Sequence, residues 1–169
     1  MPPPLRAARR TGIAYRAMAN EDLPFLAELY ASTRREEVAA TGWPAEAQAQ
    51  FLAQQFDAQH RHYQAHYPDA EWLVVERGGE PIGRLYTEEW PSQFRIIDIA
   101  LTPANRGQGI GAAILRDVLE MARGAGKRVS IHVEKFNPAM RLYLRLGFTP
   151  VEDKGVYDLL EWRSQDEAS

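Results

Sequence analysis

The chain has 169 residues, 45% of them hydrophobic and 25% charged, a formal net charge of −3 and no cysteine. That length suits one domain with a real core rather than two, and the slightly acidic balance argues against nucleic acid as the main partner. The missing thiols exclude disulfides, zinc–thiolate sites and an acyl-cysteine intermediate, and are compatible with a cytoplasmic protein.

Residues 1–10 are basic but lack the apolar stretch of a secretory signal, and they read as a disordered tail before a single domain over 11–165. Residues 13–16 suit a short strand. Asn20 is placed to cap a helix over 21–33, with Glu21 and Asp22 in the first turn, where the helix dipole favours acids. Leu23, Leu26, Ala27 and Tyr30 share one face of it. Gly42 breaks the chain, Pro44 suits a first helical position, and a long helix with an aromatic stripe through Phe51, Phe56 and Tyr63 runs to His66 before Pro68 stops it.

Strands over 72–76 and 80–87 flank a Gly78-Gly79 turn. Residues 94–101 form a nearly all-apolar strand of the kind buried on both faces. Ile110, Ile114, Val118, Met121 and Ala122 carry a helical stripe that Gly124 and Gly126 end. A strand over 128–133, a helix over 137–146 and strands over 148–151 and 156–162 complete the order β-α-α-β-β-β-α-β-α-β-β. No apolar run approaches the ~20 residues of a membrane span.

The most specific signal lies between Ile96 and Leu115, where the apolar strand enters Arg106-Gly-Gln-Gly-Ile-Gly111 and then a helix. Backbone N–H groups and a helix N-terminus aimed at one point make an anion-binding device, and the glycines remove side chains that would hold a phosphate off. A Walker loop needs a Lys after the last glycine, and the dinucleotide fingerprint needs Gly-x-Gly-x-x-Gly on a first strand; neither fits. The loop resembles the Arg/Gln-x-x-Gly-x-Gly/Ala signature of the GNAT superfamily, the acyl-CoA-dependent N-acetyltransferases. Downstream, Asn137-Pro-Ala-Met-Arg-Leu-Tyr-Leu-Arg-Leu-Gly-Phe148 resembles that family's second motif, and together the two cover roughly a third of the chain.

The resemblance implies an α/β (α+β) GNAT fold: a mixed, mostly antiparallel, twisted sheet of six to seven strands flanked by four helices. It implies acetyl-CoA as co-substrate, no metal, and an amine acceptor. Arg106, Gly107, Gln108, Gly109, Ile110, Gly111 and Ala112 would hold the pyrophosphate. Ile99, Ala100 and Leu101 would lie beside the pantetheine, with a backbone N–H near Leu101 placed for the oxyanion. Tyr143 matches the family's general acid, and Asn137 would bond the pantetheine arm while capping its helix. A core tyrosine among leucines and a plain helix cap are the structural alternatives for these two.

The base stays open. Asp98 is an acid inside an apolar strand, which needs a reason, and His132 shares a strand face with Glu134 and can take a proton near neutrality. Family members place the base differently or use water. His60, His62 and His66 invite a metal reading, but their helix offers no convincing further ligand. By analogy the two early helices wall the acceptor pocket, making Trp43, Phe56, His60, Tyr63 and Tyr67 lining candidates. Glu36, Glu37, Asp57, Glu88 and Glu89 are candidates to attract a cationic amine. The expected activity is direct acetyl transfer to a primary amine, small or peptidic, in a ternary complex; the competing reading is a non-catalytic acyl-CoA-binding or sensor module. Homodimers are common in the family.

Overall fold

The structure is a computed structural model that describes residues 1–165. Its elements are β1 (Ile13–Ala17), α1 (Leu23–Ala39), α2 (Ala45–His66), β2 (Glu71–Arg77), β3 (Glu80–Glu89), β4 (Gln93–Leu101), α3 (Ile110–Ala125), β5 (Arg128–Glu134), α4 (Met140–Arg145), β6 (Thr149–Lys154) and β7 (Tyr157–Trp162), in the expected order. They build a seven-stranded sheet in the order β1-β2-β3-β4-β5-β7-β6. Its neighbours are antiparallel except for β4 and β5. A parallel pair cannot be joined by a hairpin, and α3 supplies the crossover.

Alternation along the strands sends one set of side chains to each face. On one face Leu73, Leu85, Phe94, Ile96, Val129 and Ile131 meet the stripe of α3, in which Ile114 and Val118 are fully buried. Each such side chain contributes roughly 1.5–3 kcal/mol by leaving water. On the other face α1 and α2 pack through Leu26, Leu29, Tyr30, Leu52 and Phe56, with Met18 and Ala100 beneath them. Gly78 and Gly79 both hold positive φ (61° and 81°), which lets the β2–β3 hairpin close in a two-residue turn. Among the described residues no helix is long and apolar enough to cross a membrane.

Several expectations need correction. Residues 7–11, expected within and just beyond a disordered tail, form a 3-10 turn (Ala7–Thr11). The Asp117 carboxylate on α3 accepts the N–H groups of Arg6, Ala7 and Ala8 at 3.1, 2.7 and 3.0 Å, and Ala8 is fully buried. Helix α1 begins later, after a 3-10 turn (Asn20–Asp22), and runs on to Ala39 instead of stopping at 33. Asp22, not Asn20, takes the terminal role: its carboxylate accepts the Ala19 N–H at 2.8 Å and both Nη groups of Arg16. Helix α4 is confined to Met140–Arg145 because the chain stays in a turn up to Ala139, whose N–H bonds Asn137 Oδ1 at 2.8 Å. Strand β4 is buried over 94–96, but 97–101 are half-buried, for a reason that defines the site.

Candidate functional site

The chain leaves β4 at Leu101, makes a short 3-10 turn (Pro103–Asn105) and crosses the glycine loop into α3. Gly107 and Gly109 sit at φ 72° and 80°, a conformation that L side chains rarely adopt. Gly109 occupies the helix cap and brings no side chain to satisfy it. The N–H groups of 107–112 find no acceptor among the described residues. The first N–H groups of a helix have no intrahelical partner by geometry, and here they add to the positive end of the α3 dipole. Arg106 braces this loop: its Nε donates to the Leu101 carbonyl at 3.0 Å and its Nη2 to Ser32 Oγ on α1 at 3.1 Å. Gln108 is held from both sides, donating to the Ala104 carbonyl and accepting from Arg77 Nη1 at 3.0 Å.

Directly upstream, the sheet opens. Strand β4 pairs with β5 only from Gln93 to Ile96, opposite Arg128 to Ile131; beyond that the two strands part. On its other side β4 stays paired with β3 as far as Leu101. The parting coincides with a bulge, since Tyr86 faces Asp98 while Thr87 faces Ile96, leaving Ile97 as the extra residue. A bulge bends its strand and re-aims the side chains beyond it. The free edge of β4 at Ile99, Ala100 and Leu101 therefore lines a slot that leads to the glycine loop.

The bulge also reverses the alternation. Residues directly opposite in an antiparallel pair share a face, so Asp98, opposite Tyr86, lies on the same face as Arg95, opposite Glu88. That is the face under α1 and α2. There Asp98 Oδ2 accepts from Arg84 Nη2 at 2.7 Å and from the Tyr63 hydroxyl of α2 at 3.1 Å, while Gln59 Oε1 takes a second bond from the same Nη2. Asp98 Oδ1 accepts nothing among the described residues. Arg84 is 3% exposed and lies over the Tyr86 ring. Burial opposes its charge, yet Asp98 and the phenols of Tyr86 and Tyr63 outweigh it and raise the guanidinium pKa. The Tyr63 phenol is pushed well up by burial first and by the Asp98 charge second.

At the closed end of the slot, Arg95 reaches from β4 to β5. Its Nε donates to Ser130 Oγ at 2.8 Å, its Nη1 lies 3.2 Å from His132 Nδ1, and Trp90 stacks on the guanidinium at 4.7 Å. His132 is exposed, one residue past the last β4–β5 pair. Glu134, two residues on, is taken by Arg34 of α1. Tyr143 comes from α4 on the opposite face, 4% exposed and edge-on to Phe148. Burial, then the field of Asp98, pushes its phenol pKa above the ordinary range. Asn137 is exposed at the start of the turn into α4.

The acceptor-wall candidates scatter. Tyr63 reaches the β4 side of the slot, whereas Phe56 is in the α1–α2 core with His60 stacked on it, Tyr67 is buried and Trp43 leans on Phe51 at the surface. Glu37 is taken by Arg34, Asp57 by Arg61, Glu89 by Lys127, and Glu88 by the Asp69 N–H and Trp90 Nε1; Glu36 is exposed. His62 stacks on His66, and no group of three potential metal ligands occurs among the described residues. Sequence reasoning missed Arg84, Arg95, Ser32 and Arg34. Arg84 and Arg95 stand within apolar strands, where a charge needs a partner, and that signal was available.

A model of the acetyltransferase (GNAT) family matches residues 26–148. The chain is 34% identical over 83 residues to a tRNA(Met) cytidine acetyltransferase TmcA of Saccharolobus islandicus, covering 45% of this chain but 11% of that protein. It is 31% identical over 106 residues to a putative [ribosomal protein bS18]-alanine N-acetyltransferase of Bacillus subtilis, covering 56% of this chain and 69% of that one. Its fold matches the PaiA N-acetyltransferase of Thermoplasma acidophilum, solved in complex with coenzyme A, with a TM-score of 0.66, 17% identity, and coverage of 90% of this chain and 99% of the other.

Proposed function

The chain belongs to the acetyltransferase (GNAT) family, and from that premise we propose an acyl-CoA-dependent N-acetyltransferase that moves an acetyl group from acetyl-CoA to a primary amine in a ternary complex. The observation that carries the proposal is the parting of β4 from β5 beyond Ile96, which leaves a free strand edge leading to a loop of unpaired N–H groups. A cofactor with a pyrophosphate at one end and an amide-bearing arm at the other fits that pair of features.

In this mechanism the N–H groups of 107–112 bind the pyrophosphate, and Arg106 and Gln108 keep the loop in shape. The pantetheine amides pair with the free edge of β4 as an added strand would. An N–H of the same edge receives the oxyanion. The amine nitrogen forms the new bond to the carbonyl carbon, and collapse of the tetrahedral intermediate breaks the C–S bond. Tyr143, kept protonated by its raised pKa, donates to the departing sulfur. The proton lost by the amine passes to Asp98 Oδ1, directly or through water, and balances the one gained by the thiolate.

The test is thiol release from acetyl-CoA across amino acids, polyamines, aminoglycosides and peptides with free N-termini or internal lysines. The wild-type protein should release thiol above the no-acceptor background with at least one class. Tyr143→Phe should bind acetyl-CoA normally and slow turnover about 100-fold, the lower range for losing a general acid. Binding without release for every amine would leave the sensor reading, and a variant as fast as wild type would remove Tyr143 from the chemistry.

A further inference from the structure

We propose that His132 is a hydrogen-bond donor to the acceptor and not the base, and that the acceptor carries a carbonyl or carboxylate oxygen beside its amine, as amino acids and peptide α-amines do and alkyl polyamines do not. The proposal rests on the acetyltransferase reading for its substrate, but not for the state of the histidine.

A guanidinium has five N–H donors and no acceptor. With Arg95 Nη1 3.2 Å from His132 Nδ1, that nitrogen must present its lone pair, and the neutral ring then carries its proton on Nε2. Arg95 cannot turn away, because Ser130 holds its Nε and Trp90 covers its plane, and it is 9% exposed. A proton added to Nδ1 would face the guanidinium. So the nitrogen with a free lone pair is spent, and the nitrogen left over can only give.

The other groups around the ring do not reverse this. Lys154 of β6 opposes protonation, and Glu152, which favours it, is paired with Lys154 at 3.1 Å. Glu134 on β5 is held by Arg34, Asp98 on β4 by Arg84, and Glu161 on β7 by Arg128. Tyr157 of β7, opposite Glu134, and Tyr63 of α2, whose phenol burial pushes up, add no carboxylate at this end of the slot. Partial burial of the ring, then Arg95 and Lys154, lowers the His132 pKa below the usual histidine value.

His132 and Asp98 stand on the same sheet face, on the two strands that part to form the slot. A carboxylate on one lip suits an amine, and an N–H donor on the other suits an oxygen. A molecule that offers both, close together, is an α-amino carbonyl compound. Arg95 is the positioning residue that sets this polarity.

Two measurements test the idea. In 15N-edited imidazole spectra, His132 should show the Nε2–H tautomer and titrate below the ordinary histidine value; Arg95→Met should free Nδ1, so that both tautomers appear, and move the titration part of the way back up, since burial and Lys154 remain. In turnover, the wild type should prefer an amino acid or peptide α-amine over an alkyl polyamine. His132→Leu should raise the KM for that acceptor about tenfold, the equivalent of one hydrogen bond of ~1.4 kcal/mol, and His132→Gln, which restores an N–H donor, should recover most of it. An Nδ1–H tautomer, an imidazolium near neutrality, or a kcat that collapses equally in the Gln and Leu variants with loss of the acidic limb of the pH profile would overturn the proposal. A wild type that acetylates no amine would sink the acetyltransferase reading and the acceptor class with it, while the spectrum alone would still decide the tautomer.

Discussion

Tyr15, Tyr63, Tyr86 and Tyr143 have phenols that burial pushes above their ordinary pKa, with Asp117 adding to the rise at Tyr15 and Asp98 at Tyr63 and Tyr143. As pH climbs past about 10, the unfolded chain gives up these protons and the folded chain keeps them. The folded state then binds more protons, so stability should be fully present below about pH 10 and fall as pH rises above it. Thermal melts followed by tyrosinate absorbance check this: tyrosinate from these four should appear with unfolding and not before it. Titration of all of them at the ordinary value in folded protein would contradict the burial. At the same scale, Tyr143 and the glycines stood out as candidates in the sequence because their neighbours carry a family pattern. Asp98 was legible as an acid in an apolar strand, but its face was not, since the extra residue at Ile97 reverses the alternation on which such a reading depends. Arg84 and Arg95 passed as ordinary polar letters.

Helices and strands were read in the right order because their periodicity and turn residues agree, as at Gly78-Gly79 and along the stripe of α3. Their ends were harder to read. Helix α1 outlasts its apolar stripe because Arg34 and Glu37 pair along its surface and Val38 is still buried. The N-terminal turn was invisible, since nothing local marks a backbone that is satisfied by a carboxylate more than a hundred residues away. That anchor makes a clear prediction. Asp117→Ala strips the acceptor from three consecutive N–H groups and should cost about 3 kcal/mol in denaturant unfolding. It should also open residues 1–12 to proteolysis before the rest of the chain. A loss below about 0.5 kcal/mol, with the terminus still protected, would contradict the account.

For the molecule as a whole, the proposed function rests on where the sheet fails to close. Strands β4 and β5 are held together at one end by α3 as crossover and forced apart at the other by a bulge, and the gap points at the N-terminus of that same α3. Gly83 tightens this arrangement from the far side: a Cβ there would run into the Ala100 carbonyl and Leu101, so β3 and β4 can lie closely paired beside the slot. Periodicity did not show the slot, because it marks strands but not how far each pairing runs; only the family resemblance set a ligand beside residues 99–101. The measurement that tests the central claim most directly is an amide NMR titration with acetyl-CoA. The largest shifts should fall on the N–H groups of 107–112 and on 98–101 of β4, with little change along β1 and β2. Saturable binding that perturbs other segments and leaves both of these unmoved would contradict the account.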